Sequence, residues 1–289
     1  MFVTPYAKLP ARLAIAAALA LPLGACSTLD SLNPFSKGEK YETKLLPDEP
    51  ADDIYDQGLA RLNKKDAEGA AKKFGDLDKQ YPFSQQARKG LVMTAYSYYQ
   101  GGKWDDAISA ANRYIGLYPA SPDTPYAMYL AAMSYYNQIP DITRDQQTSE
   151  KALTIFSQLV ERFPRSEYVE DAKYKMIVLR DQLAGAEMSR GRYYLGRNGY
   201  QGAINRFQTV IAKYQTTRHV EEALYRLTEA NLALGLADEA RSTAAVLGHN
   251  YPDSQWYKDA YDLLQKGGLS PEINNSSWIV RTFKKIGLG

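Results

Sequence analysis

A chain of 289 residues with 35 Lys and Arg against 33 Asp and Glu has a formal net charge of +2 and no basic block. That argues against a nucleic acid partner, because phosphate contacts need clustered cations. One cysteine, Cys26, excludes an internal disulfide, and the two histidines, His219 and His249, lack a second His or a Cys at metal-ligand spacing and read as exposed loop residues.

The chain opens with two cations, Lys8 and Arg12, and no anion, then runs through small or apolar residues from Leu13 to Ala25. About thirteen residues are too few to span a membrane, which takes roughly 20, but they fit the roughly 7 to 15 of a secretion-signal core. The run ends in Leu23-Gly24-Ala25-Cys26. This ending resembles the bacterial lipobox. The resemblance implies a signal peptide over residues 1–25, cleavage before Cys26, a diacylglycerol on its thiol and an N-acyl chain on the new amino group. Two or more chains on one residue hold a protein stably at a membrane, where one is marginal. The alternative is an ordinary cleaved signal beside an incidental cysteine. In lipoprotein families a Ser rather than an Asp after the cysteine, here Ser27, favours forwarding to the outer membrane. Loss of residues 1–25 removes two cations and no acid, leaving 33 charges of each sign, so protein partners are expected. Residues 26–50 are polar, broken by Pro and Gly and without an apolar period. They read as a lipidated flexible tether that reaches at most ~80 Å and averages nearer ~27 Å.

One ending recurs through the rest of the chain: YPFS at 81, YPAS at 118, FPRS at 163, YQTT at 214 and YPDS at 251. Eleven residues before each aromatic stands an alanine (Ala70, Ala107, Ala152, Ala203, Ala240), and seven before it Phe or Ala (Phe74, Ala111, Phe156, Phe207, Ala244). Four before it comes a larger apolar residue (Leu77, Tyr114, Leu159, Val210, Leu247). Steps of four and three mark one helix face. Nine residues after each aromatic a second small residue (Gly90, Ala127, Ala172, Ala223, Ala260) opens another amphipathic segment. Each unit is thus predicted to be two antiparallel helices with small residues at their closest approach. The spacing resembles the tetratricopeptide repeat, matched at Ala70, Phe74, Leu77 and Pro82. That resemblance implies an all-α, right-handed superhelical solenoid. Five units are expected, about 51–82, 84–119, 121–164, 166–215 and 217–252, then a capping helix to 265 and an amphipathic tail over 266–289.

The marker alanines are 37, 45, 51 and 37 residues apart. The eight extra residues of the third unit fall in IPDITRDQQTSE, polar and holding Pro140, which predicts a longer loop between its helices. The fourteen extra residues of the fourth fall where no proline interrupts and an apolar stripe continues through Ala172, Met176, Leu179, Leu183 and Ala186. Fourteen is close to four turns of 3.6, so the helix keeps its facing. One elongated first helix is predicted from about Glu167 to Gly196, ending at Asn198-Gly199.

Lipobox, polar tether, five units and an elongated helix running into RYYLGRNGYQGAINRF together resemble the lipoprotein family of the outer-membrane β-barrel assembly machinery, over roughly residues 13–265. The resemblance implies a scaffold with no chemistry and no cofactor beyond its covalent lipid, anchored at the periplasmic face of the outer membrane. It implies as partners the periplasmic domains of the barrel-forming subunit, docked on the carboxy-terminal repeats, and other assembly lipoproteins. Unfolded outer-membrane proteins would lie in a groove of the amino-terminal repeats. The family's contact arginine at the close of the long helix matches Arg197, flanked here by Tyr194 and Tyr200. Asn198 stands where Gly is common, and both tolerate the left-handed backbone that ends a helix. A second role for Arg197 is to favour the negative end of the helix dipole.

Such repeats turn their first helices to the concave side. Counting from the markers, the inward positions of the first three units hold Tyr55, Leu59, Leu62, Tyr96, Tyr99, Tyr126, Tyr129, Met133 and Tyr136, the predicted substrate groove. Tyrosine offers large contact area at low rotamer cost and a hydroxyl for peptide backbone, which suits a tolerant peptide site. The competing role for each ring is packing between helices. Near the end, Trp278, Ile279, Phe283 and Ile286 with Arg281, Lys284 and Lys285 predict a short amphipathic helix. It either caps the last repeat or engages a partner or membrane surface.

No enzyme signature emerges. Gly101-Gly102-Lys103 lacks the flanks of a phosphate loop and reads as a turn, and the pairs Asp52-Asp53 and Asp105-Asp106 open helices, where the dipole favours them. The rival function is a cell-envelope coordination protein of the peptidoglycan-associated repeat type. Such proteins usually carry a soluble signal and an amino-terminal coiled coil, and no heptads precede the first repeat here.

Overall fold

The computed structural model describes residues 49–285. The predicted signal peptide, Cys26, the predicted tether up to Asp48 and Ile286 lie outside the described residues. Among those described there are twelve helices and no strand: α1 Ala51–Asn63, α2 Ala67–Gln80, α3 Gln85–Gln100, α4 Trp104–Leu117, α5 Thr124–Tyr136, α6 Gln147–Arg162, α7 Val169–Leu195, α8 Tyr200–Lys213, α9 Val220–Ala233, α10 Ala237–Asn250, α11 Gln255–Lys266 and α12 Trp278–Lys285. From α1 through to α11 consecutive helices pack on one another. First helices also meet later first helices, α1 with α3, α3 with α5 and α7 with α9, and α9 meets α11. This is a solenoid of stacked helices.

Two turn types, each dictated by local sequence, produce the alternation. After every second helix the aromatic of the recurring ending donates its N–H back to the apolar residue four before it, as Tyr81 does to Leu77 and Tyr214 to Val210. Its carbonyl then accepts the N–H of the Ser or Thr three residues on, from Ser84, Ser121, Ser166, Thr217 and Ser254 in turn, at 2.9–3.1 Å. Proline at the second place fits such a turn but donates nothing to it, which is why Gln215 can replace it. After the first helices of four units, and after α11, the chain passes through a left-handed residue: Lys65, Gly102, Asn198, Gly235 and Gly268, with φ between 57° and 76°. The next N–H reaches the carbonyl five residues back, Gly199 to Tyr194 at 2.9 Å for example, which satisfies an orphan helix carbonyl.

Every marker residue is in the core. The five alanines, Phe74, Ala111, Phe156, Phe207 and Ala244, and the five larger residues after them have no accessible surface. Two of the phenylalanines need a glycine opposite. A Cβ on Gly58 would lie 2.5 Å from the Phe74 ring, and one on Gly191 would lie 2.4 Å from Phe207.

Helix α7 has 27 residues and keeps the predicted stripe buried. Its first half, through Val169, Ala172, Met176 and Leu179, belongs to a core cluster with α5 and α6. Its second half, through Ala184 and Met188, joins another that runs to α12. The two irregularities of the sequence meet here. The lengthened loop of the third unit lies on the lengthened helix of the fourth, with Gln182 Nε2 donating to the Pro140 carbonyl at 3.1 Å. Ile142 packs beside Gly185.

The tail folds back as a cap. Arg241 Nε donates to the Ser270 carbonyl at 3.0 Å, and buried Ser242 bonds both Glu272 and Asn274. Helix α12 then packs on α10 and buries Ile279, Val280 and Phe283, while Arg281, Lys284 and Lys285 stay exposed.

Candidate functional site

The predicted groove residues fall into two groups. Tyr55 packs on Phe74 in the first core, ring centroids 5.4 Å apart, with Leu59 and Leu62 beside it. Leu59, Leu62, Asn63, Lys65, Ala67, Tyr96 and Gln100 line a cleft of about 630 Å³ between the first two units. Tyr99 meets Trp104 edge-on at 5.3 Å, and its hydroxyl accepts from Asn137 Nδ2 at 3.3 Å.

The second group is continuous. Tyr96 contacts Tyr126 at 6.4 Å, Tyr126 stacks on Tyr168 at 5.3 Å, Tyr168 on Tyr129 at 5.0 Å, and Tyr129 meets buried Phe156 at 6.1 Å. The Tyr129 hydroxyl donates to Asp171 Oδ2 at 2.7 Å. Asp171 lies 4.0 Å from Lys175, whose ammonium sits 5.0 Å over the Tyr136 ring. All these tyrosines are half-buried. Burial raises the pKa of Tyr126 well above its ordinary value, and burial with the hydrogen bond to Asp171 does the same for Tyr129. Both are neutral donors throughout the range in which a protein works. The rings thus both pack between helices and present a polar edge.

Tyr168 is absent from the sequence-based set, yet it joins Tyr126 to Tyr129. A signal for it exists. It stands five residues after its turn aromatic, and at four of the five recurring endings that position reaches the preceding first helix. Gln86 bonds Asp52 at 2.6 Å, Tyr168 stacks as described, His219 Nε2 lies 3.6 Å from Asp181, and Trp256 meets Tyr225 at 5.4 Å. His219 is therefore packed against α7 rather than exposed as its sequence context suggests, whereas His249 is exposed.

Arg197 lies elsewhere, at the close of α7. It is exposed, and its guanidinium covers the Tyr193 ring at 4.7 Å. Tyr193 in turn meets Tyr194 edge-on at 5.9 Å. Tyr194 leans over Gly199 and Gly202, and the Tyr200 hydroxyl donates to Asn198 Oδ1 at 2.9 Å, steadying the left-handed turn. Tyr193, 58% exposed, is the member of this patch that sequence reading missed. A cation stacked on an exposed ring, held on a rigid helix end, is suited to protein docking.

Among the described residues no helix is long and apolar enough to cross a membrane. A family model described as an outer membrane lipoprotein, YfiO, matches residues 47–247. The chain is 42% identical over 234 residues to the outer membrane protein assembly factor BamD of Caulobacter vibrioides, covering 81% of this chain and 77% of the relative. It is 41% identical to the factor of the same name from Rickettsia prowazekii (75% and 86% covered) and 33% identical to that of Neisseria meningitidis serogroup A (86% and 95%). With two separate aromatic surfaces on one solenoid and this similarity along most of its length, the chain belongs to the BamD family of outer-membrane lipoproteins.

Proposed function

We propose that this protein is a non-catalytic scaffold of the outer-membrane protein assembly complex, which helps recognise β-barrel proteins and insert them into the outer membrane. Five tetratricopeptide units form a right-handed superhelix with the first helices on its concave side. The tyrosine row on α3 and α5, with Tyr168, holds unfolded outer-membrane proteins, and the Arg197 patch with Tyr193, Tyr194 and Tyr200 meets the periplasmic domains of the barrel-forming subunit. Other assembly lipoproteins complete the complex. Cys26 carries the lipid that anchors the body at the periplasmic face, and no other group is needed.

The observation that carries the substrate role is the unbroken ring contact from Tyr96 through Tyr126 and Tyr168 to Tyr129, which draws on three successive units. Replacing Tyr96, Tyr99 and Tyr129 together by Ala should weaken crosslinking of barrel-terminal peptides while circular dichroism stays helical; unchanged crosslinking refutes the groove. Arg197→Ala should lose the integral barrel protein on purification from detergent-solubilised outer membrane. Cys26→Ala should release the folded protein from membranes.

A further inference from the structure

The added length of α7 leaves part of one face bare. Residues 174, 177, 178, 181, 185, 188 and 192 share that face, at steps of three and four. In the second half of the helix it is covered. A Cβ on Gly185 would sit 3.4 Å from His219 Nε2, Met188 has no accessible surface, and Arg192 pairs with Glu222 of α9 at 2.9 Å. In the first half, which α9 does not reach, Tyr174 is 61%, Ile177 63% and Val178 36% exposed. This apolar ledge ends at the α8–α9 turn, where Ile177, Val178, Asp181, Thr216, Thr217 and Arg218 line a recess of about 410 Å³. Its other end meets the tyrosine row, because the Lys175 ammonium lies over both Tyr136, at 5.0 Å, and Tyr174, at 5.7 Å.

We propose that the ledge is the far end of the substrate groove and takes apolar side chains of an extended, strand-forming segment of an unfolded outer-membrane protein. The inference rests on the groove reading above. Size argues for a peptide: three exposed side chains and a small recess hold two or three residues, whereas a stable interface with a folded partner buries about 800 Å² on each side. Spacing agrees. A barrel strand alternates apolar and polar residues, so its apolar side chains recur every ~6.6 Å, close to the ~5.4 Å between successive turns of α7. Neighbouring apolar residues of the segment therefore meet Tyr174 and the Ile177–Val178 pair. The rim supplies polar groups for the peptide backbone, Thr216 and the Asp181–Arg218 pair, 3.1 Å apart.

The test uses the full-length lipoprotein in detergent and a fluorescent peptide of about ten residues, the length of a membrane-spanning strand. The peptide alternates Val or Tyr with Thr or Asn and ends in Phe. The double variant Ile177→Ser, Val178→Ser, both exposed positions that should not disturb folding, is expected to bind it at least about fivefold more weakly. Tyr129→Ala should weaken binding independently. Unchanged affinity in the double variant while Tyr129→Ala still weakens binding overturns the ledge and leaves the groove standing. No binding by the unaltered protein overturns the groove reading and the ledge with it. Unchanged peptide affinity with loss of the copurifying barrel subunit assigns the ledge to a folded partner and overturns the proposal.

Discussion

On α3 and α5 the first-helix surface is a row of tyrosines touching one another, while on α7 and α9 the comparable surface is a ladder of paired charges. Arg192 binds Glu222 at 2.9 Å, and Arg226 lies 3.5 Å from Glu222 and 2.9 Å from Glu229. Below the ladder Glu187 holds Arg190 at 2.7 Å and Arg206 at 3.2 Å. Aromatic pairing persists on α9 only as Tyr225 with Trp256, and there Arg226 lies against both rings. The same repeat geometry thus presents two chemically different surfaces. Rings edged by hydroxyls can adapt to many peptides, whereas charges already paired with one another define one arrangement and leave fewer groups for a variable ligand. The helix that joins the two regions, α7, contributes to a separate core cluster in each.

If that division is energetic as well as chemical, core truncation will show it. Phe207→Ala and Phe156→Ala each remove a fully buried ring and should each cost about 3–5 kcal/mol. In a solenoid, stability is a sum of unit and neighbour terms, so denaturant unfolding of Phe207→Ala should split into two steps with the amino-terminal step unmoved. A single shifted transition would show that α7 couples the halves into one unit. A subtler probe is Gly191→Ala, where the new Cβ meets the Phe207 ring and overpacking should cost about 1–3 kcal/mol. Gly75 on α2 has open space around its missing Cβ, and Gly75→Ala should instead stabilise by about 0.5–1 kcal/mol.

Tyr129→Phe probes the tyrosine side. It deletes the hydroxyl on Asp171 but keeps the stacking on Tyr168, and should cost about 1 kcal/mol by denaturation. The folded-state pKa values of Tyr126 and Tyr129 are raised above the ordinary 10.0. The folded state therefore holds these protons more tightly than the unfolded chain. The resulting stability is complete below pH 10 and is lost as pH rises beyond it. Tyrosinate absorbance in an alkaline titration should show late-titrating rings, Tyr126 and Tyr129 among them, and Tyr129→Phe should remove one.

The repeat was legible because helix pairing demands small residues at fixed offsets, and all of those positions are buried as their spacing predicts. The end of α7 was legible for a similar reason: Asn198 takes the left-handed place that glycine takes in other units. Lys65 occupies the equivalent place with nothing in its side chain to announce it. What sequence could not show is contact between distant insertions. The loop at Pro140 and the helix at Gln182 each look like local irregularities, and only their packing makes them one feature. The tail offered two roles with equal plausibility because an amphipathic helix does not name the surface it covers. Its burial on α10 decides in favour of capping. The groove was read from inward-facing positions on helices, so Tyr168, just before the start of α7, fell outside the count.

The smallest expected effect concerns His219, which couples the ladder side to the bare half of α7. Its imidazole is held against Gly185, 3.6 Å from Asp181, with Arg218, Arg192 and Glu222 around it. Burial lowers its pKa below the ordinary 6.5 more strongly than Asp181 raises it, and the two arginines add to the lowering. The unfolded chain then takes up a proton at a pH where the folded one does not. Stability should be complete above pH 6.5 and fall as the pH drops from there through the folded-state value. His219→Gln keeps a polar side chain at the joint and removes the titration, so the slope of stability against pH below 6.5 should flatten. An unchanged slope would show that Asp181 holds His219 charged, with the α7–α9 joint fixed by an ion pair instead of by packing.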